Sequence, residues 1–135
     1  MTGGYNFGVV RVAALYEYLK YETPSGDLKR NFWGISGTMP MGPGTWYAFY
    51  GRAGDGRGSA TDGTRVGGLA RGSDSGAHQW ELSYTYPFSK RTSVYAGYVK
   101  IDNDSNASYT FNINPYTIGV GGKPGGFALG MIHLF

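Results

Sequence analysis

Gln79-Trp80-Glu81-Leu82-Ser83-Tyr84-Thr85-Tyr86-Pro87-Phe88 is the stretch from which the fold can be read. Trp80, Leu82, Tyr84 and Tyr86 share one parity, while Gln79, Glu81, Ser83 and Thr85 take the other. In an extended strand successive side chains point to opposite sides, so this segment has one apolar and one polar face. The residues that follow, Pro87-Phe88-Ser89-Lys90-Arg91, are too few for a crossover helix. A second strand at Thr92 to Ile101 is therefore expected to pair with the first as an antiparallel hairpin.

Working outward, Thr45 to Ala53 alternates Tyr47 and Phe49 against Trp46, Ala48 and Arg52, and Lys29 to Met39 places Trp33, Ile35 and Met39 on one parity. Pro40-Met41-Gly42-Pro43-Gly44 between them has the residues of a tight turn. The first segment, about Phe7 to Tyr21, groups Val10, Val12, Ala14, Tyr16 and Tyr18 against Arg11 and Glu17. Val9, Val12, Ala13, Tyr16 and Leu19 also fit a helical stripe, and Glu17 and Lys20 are spaced to pair on it; the β-rich surroundings favour a strand. The last segment, Phe127 to Phe135, groups Phe127, Leu129, Met131, His133 and Phe135. The expectation is an all-β antiparallel meander of about six transmembrane strands. Its connections alternate: Glu22 to Leu28, a tight turn, a long Gly/Asp-rich loop from Gly54 to Ala77, a second short turn, then Asp102 to Gly126. Long loops on one rim and tight turns on the other are the pattern of a membrane-spanning barrel.

Composition agrees with strands and loops. The 135 residues include 24 glycines and 12 tyrosines, and only 16% are charged, against about 25% in an average soluble domain. With no cysteine, disulfides, thiolate metal sites and thiol nucleophiles are excluded. The formal charge of +3 is spread along the chain, which gives no nucleic-acid footprint and supports at most a weak preference for anions. Met1-Thr-Gly-Gly-Tyr5 lacks the basic and apolar regions of a signal peptide. No run approaches the roughly 18 apolar residues of a spanning helix; Arg11 interrupts the best, Val9 to Leu15. Membrane contact would be through strands.

The ending Gly126-Phe-Ala-Leu-Gly-Met-Ile-His-Leu-Phe135 resembles the terminal strand of Gram-negative porins, and Leu82 to Tyr98 is similar to the penultimate hairpin of their beta-proteobacterial branch. Tyr47-Ala-Phe-Tyr-Gly51 adds to the likeness, which spans the chain. It implies general-diffusion porins of the outer membrane: passive passage of ions and small hydrophilic solutes through a homotrimer, with no cofactor, and a C-terminal strand read by the barrel assembly machinery. It also implies contact with outer-membrane lipid and lipopolysaccharide. Such barrels close about sixteen strands. Residues 1–135 are accordingly expected to be the C-terminal part of one barrel domain, lacking N-terminal strands and the inward-folded constriction loop.

In a pore wall lipid-facing residues must be apolar and lumen-facing ones can be charged. Parity then assigns Arg11, Glu17, Arg52 and Glu81 to the lumen. Lys100 is assigned there with them; the competing parity of its strand would turn it outward with Val94, Ala96 and Tyr98. Each charge alone is equally compatible with a solvated strand residue. Tyr16, Tyr18, Trp33, Tyr84, Tyr86, Phe88 and Phe135 suit aromatic girdles at the two membrane interfaces, or an ordinary soluble β-core. Phe127, Leu129, Met131, His133 and Phe135 form the candidate assembly signal.

Other motifs carry less. Asp102-Asn-Asp-Ser-Asn106 opens like a calcium loop, but Ala107 stands where glycine is needed and Ile113 where glutamate is needed. Acidic loop residues could still hold calcium or the cations that bridge lipopolysaccharide. Gly119-Val-Gly-Gly-Lys-Pro124 has proline where a phosphate loop needs Ser or Thr. His78 and His133, the two histidines, do not suggest zinc, and no catalytic constellation can be singled out. The competing reading is a secreted soluble β-sandwich binding carbohydrate on Trp46, Trp80 and loop tyrosines; it would stay monomeric without detergent, whereas exposed apolar strand faces demand lipid.

Overall fold

A computed structural model of the chain describes residues 1–111 and 117–135; Ile113 of the calcium-loop comparison lies outside them. Among the described residues β1 (Thr2–Asn6), β2 (Arg11–Thr23), β3 (Gly26–Met41), β4 (Gly44–Ala53), β7 (Ala77–Pro87), β8 (Thr92–Asn103) and β9 (Gly125–His133) form one antiparallel sheet. Each strand pairs with the next along the chain, in the order β1-β2-β3-β4-β7-β8-β9. The long loop between β4 and β7 contains a two-residue ladder, β5 (Arg65–Val66) with β6 (Leu69–Ala70). No described helix is long and apolar enough to cross a membrane, which leaves crossing by strands open.

The expected hairpin is present, with Leu82 opposite Tyr98 and Tyr84 opposite Ala96. Its turn is tied by Ser89, whose backbone N–H donates to Thr92 O at 2.9 Å and whose hydroxyl accepts from the Arg91 and Thr92 N–H groups. The β3–β4 connection tightens to Gly42–Pro43, where Gly42 takes the positive φ of 60° that a side chain would resist.

Four readings of the meander need correction. A seventh strand, β1, precedes the six expected; its Gly3-Gly4 pair has no apolar alternation to announce it. The first segment is a strand, as favoured, but starts at Arg11, because Phe7 to Val10 make the turn into it (Phe7 N to Val10 O, 2.9 Å). Glu22 to Leu28 is not a loop: β2 and β3 run to Thr23 opposite Gly26, leaving only Pro24–Ser25 as the turn. The last strand ends at His133, short of Phe135. Turns of two to four residues at 7–10, 42–43 and 88–91 mark one rim. The other rim carries 24–25 and the long connections 54–76 and 104–124.

Buried apolar residues gather at that loop rim. Leu28, fully buried, is covered by Ala60 and Leu69, with Val66 and Tyr109 packed against them. Ala53, Ala77 and Ile101 close the upper ends of β4, β7 and β8.

Candidate functional site

Directly paired residues of neighbouring strands point to the same side of a sheet, so the register sorts every strand residue onto one of two faces. One face carries all three tryptophans, Trp33, Trp46 and Trp80, together with Tyr16, Tyr18, Ile35, Met39, Ala48, Leu82, Tyr84, Tyr86, Val94, Ala96 and Tyr98. On β9 it continues through Phe127, Leu129, Met131 and His133. The opposite face carries Arg11, Glu17, Arg30, Ser36, Thr38, Gln79, Glu81, Ser83 and Thr85, interspersed with Phe32, Tyr47, Phe49 and Tyr95.

Arg11, Glu17 and Glu81 therefore share a face, as parity assigned them. Arg52 and Lys100 do not: both lie on the tryptophan face, Arg52 opposite Trp33 and His78, Lys100 opposite Trp80. In β4 the alternation was read correctly but its two faces were exchanged. Both parities of that strand are rich in apolar residues, so a single charge decided the reading, whereas the register is set by cross-strand contacts such as Trp46 with Tyr84, whose rings lie 4.9 Å apart. For Lys100 the parity with Val94, Ala96 and Tyr98 is the one realised.

These cations sit near the loop rim, in a charged band on the tryptophan face. Asp27 lies 3.2 Å from Lys20 and 3.4 Å from Lys29, and Asp102 lies 3.1 Å from Lys100 and 3.8 Å from Lys123. Arg52 donates to His78 Nε2, which leaves Nδ1 to donate to the Tyr50 hydroxyl. At the other rim His133 shares a 2.9 Å hydrogen bond with Thr92. Two histidines at opposite ends of one face cannot share a metal.

Below the charged band aromatic side chains meet in cross-strand pairs: Trp33 with Tyr50 at 5.6 Å, Trp80 with Tyr98 at 5.3 Å, Tyr98 with Phe127 at 4.7 Å. Five of the candidate girdle residues, Tyr16, Tyr18, Trp33, Tyr84 and Tyr86, lie on this face. Phe88 and Phe135 fall outside the strands, both strongly exposed. Of the candidate assembly residues, Phe127, Leu129 and Met131 project from β9, Phe127 at 88% exposure. Among the described residues neither β1 nor β9 has a partner on its outer edge.

On the opposite face, the segment after β8 folds back over the sheet, and this arrangement was not visible to sequence reasoning. Asn103, 5% exposed, donates through Nδ2 to Tyr109 O at 2.9 Å and Gly122 O at 2.7 Å, and its Oδ1 accepts from Tyr109 N at 2.8 Å. Tyr109 is thereby held above Arg30, whose guanidinium carbon lies 5.3 Å from its ring centre and 5.9 Å from that of Phe32. Burial pushes the Tyr109 phenol above its ordinary pKa, with the Arg30 cation opposing the shift. The parity of β3, read outward from Trp33 and Ile35, could have placed Arg30 with Glu17. Nothing in the sequence announces the Asn103 clamp. The would-be phosphate loop is a turn closed by Gly122 N to Gly119 O at 3.0 Å.

A family model described as Gram-negative porin matches residues 1–107. Among solved structures the chain is similar to an anion-selective porin from Comamonas acidovorans, with a TM-score of 0.76 and 25% sequence identity over 99% of this chain and 38% of that one. The chain thus spans well under half the length of that porin. No curated protein sequence matches it.

Proposed function

Because the chain belongs to the Gram-negative porin family, a family of outer-membrane β-barrels, we propose that its strands form part of the wall of a water-filled channel for passive diffusion of ions and small hydrophilic solutes. The observation that carries this reading is the sorting of the sheet into a tryptophan face without mid-strand charges and an opposite face bearing Arg11, Glu17, Arg30 and Glu81. A barrel wall needs that division: hydrocarbon on one side, water on the other. All four of these are assigned to the lumen. Arg52 and Lys100, close to the loop rim, are assigned to the head-group level, where long basic side chains bury their stems and keep their charge wet.

The sheet does not work alone. Each unpaired N–H or C=O left in hydrocarbon costs several kcal/mol, so the outer edges of β1 and β9 must be paired in a closed barrel. The residues are taken to be the C-terminal part of such a barrel domain. The exposed Phe127, Leu129 and Met131 fit recognition by the assembly machinery, and the apolar tryptophan face fits lipid, lipopolysaccharide or the neighbours of a homotrimer. Transport is driven by solute gradients, with selectivity set by pore width and wall charge; no catalytic step is involved. The net positive charge of the chain and the anion-selective neighbour both favour a weak preference for anions.

The test is single-channel current across a planar bilayer under a salt gradient, using a barrel that contains these strands. Stepwise ohmic current is expected, with Arg11→Glu moving the reversal potential toward cations and Arg52→Glu leaving it nearly unmoved. Lipid-inserted protein that passes no current would sink the channel reading. Equal shifts from both variants would sink the assignment of faces.

A further inference from the structure

On the face assigned to the lumen two phenyl rings meet above a glycine. A side-chain carbon added at Gly51 would come within 2.8 Å of Cζ of both Phe32 and Phe49, and one added at Gly34 within 2.8 Å of Phe49 Cε2. Gly34 and Gly51 stand directly opposite each other on β3 and β4. Both glycines are buried, while Phe32 and Phe49 stay half-buried. The rings therefore lean along the wall over a pair of residues without side chains, and their outer sides are turned to the lumen. Beside Phe49 the wall dips into a hollow of about 300 Å³, lined also by Ala13, Leu15, Gly34 and Ser36. Polar groups border this apolar patch at directly paired positions: Glu17 opposite Phe32, and Ser36 and Glu81 on either side of Phe49.

A mostly apolar surface with a few fixed polar groups holds a small molecule by shape and orientation. The face of an aromatic ring is electron-rich, so it attracts the slightly positive C–H groups of a second ring lying flat against it. A pyranose offers such a face of C–H groups and carries hydroxyls around its edge, where the Glu17 and Glu81 carboxylates accept and the Ser36 hydroxyl accepts or donates. We propose that Phe32 and Phe49 form a stacking platform for neutral ring-shaped sugars on the channel wall, with Glu17, Ser36 and Glu81 as partners of the sugar hydroxyls. The inference rests on the porin reading and adds a solute class to it. Recognition here comes from the shape of the ring and not from charge. A sugar resting beside Phe49 narrows the path for ions, so its effect on ion current saturates as the platform fills.

The test is single-channel current in potassium chloride, in a barrel that contains these strands, with glucose or sorbitol added over a wide concentration range. Sorbitol has the same carbon chain and is as rich in hydroxyls, but it has no ring. It is expected to lower the current only in proportion to viscosity, whereas glucose adds a saturable block with a measurable half-blocking concentration. Phe49→Leu, which keeps an apolar side chain but removes the flat face, should raise that concentration about two- to tenfold, the range for losing one aromatic stacking contact. Phe32→Leu should move it in the same direction, and so should Gly51→Ala, whose added methyl displaces both rings. Trp33→Leu, which removes an aromatic ring from the opposite face, should not change it. Equal effects of glucose and sorbitol, or a glucose block unaltered in both phenylalanine variants, overturns the platform while leaving the channel intact. Absence of current in salt alone would instead overturn the channel itself.

Discussion

The two rims of the sheet are built on different terms. At the loop rim Leu28, Ala60, Leu69 and Ile101 are buried within the chain, Asn103 ties the following connection to β8, and Asp55 ties the two ends of the 54–76 loop together by accepting from the Ser75 and Gly76 N–H groups at 3.0 and 3.1 Å. That end packs as a water-soluble protein does, from its own residues. From mid-strand to the turn rim the chain buries almost nothing: Leu82, Leu129, Met131 and Phe88 are all strongly exposed. An apolar surface of this extent is stable only when something outside the chain covers it. The contrast separates a loop rim that packs on its own residues from a wall whose apolar face, in the proposed barrel, is left for lipid and for the strands that close it to cover.

Leu28→Ala should reveal the first half of that contrast. Removing a fully buried leucine costs about 2 to 5 kcal/mol, and here the loss should stay local. Protease cleavage within 54–76 is expected to accelerate strongly, while denaturant unfolding of the lipid-embedded barrel changes little. If the barrel midpoint falls in step with loop cleavage, the rim and the wall are one cooperative unit.

Placing arginine on the wall sharpens the second half. Leu82→Arg puts a charge on the tryptophan face, and near the bilayer midplane this should destabilise the inserted protein by about 2 to 4 kcal/mol. Ser83→Arg, one residue further and on the opposite face, should cost under about 1 kcal/mol, because its side chain meets water. Refolding titrations in lipid vesicles would measure both, and similar costs for the pair would contradict the division of faces.

Asn103→Ala gives a smaller effect. It deletes a buried side chain that makes three hydrogen bonds and leaves the Tyr109 backbone groups unpaired, a loss of about 1 to 3 kcal/mol. Amide hydrogen exchange should rise at Tyr109 and Gly121, with β8 protected as before. Exchange spreading along β8 would mean that the clamp supports the strand and not merely the fold-back.

How much of this was legible in the sequence depends on how well each strand separates its two parities. β7 could be read because one parity is Gln79, Glu81, Ser83 and Thr85, so its polar face identifies itself. β4 could not, since Tyr47 and Phe49 on one side match Trp46 and Tyr50 on the other in hydrophobicity, and only the register with β3 and β7 decides. Lys100 misled for a related reason. Close to the rim the rule that charge faces the lumen fails, and Lys100 pairs on the tryptophan face with Asp102, which Lys123 also approaches. β1 gave no signal because Thr2-Gly3-Gly4 has too few side chains to alternate. The fold-back over Arg30 was hidden more deeply, since it depends on one asparagine contacting residues six and nineteen positions away. Periodicity says nothing about such contacts.

The two sides of each strand should meet different solvents, and the chain's lack of cysteine makes that division directly measurable. Single cysteines placed in turn at positions 79 to 85 would be exposed to a charged, membrane-impermeant maleimide in intact lipid vesicles containing the closed barrel. Fast labelling is expected at Gln79→Cys, Glu81→Cys, Ser83→Cys and Thr85→Cys, and slow labelling at Trp80→Cys, Leu82→Cys and Tyr84→Cys. A period of two with the opposite phase, or uniform labelling along the strand, would contradict it.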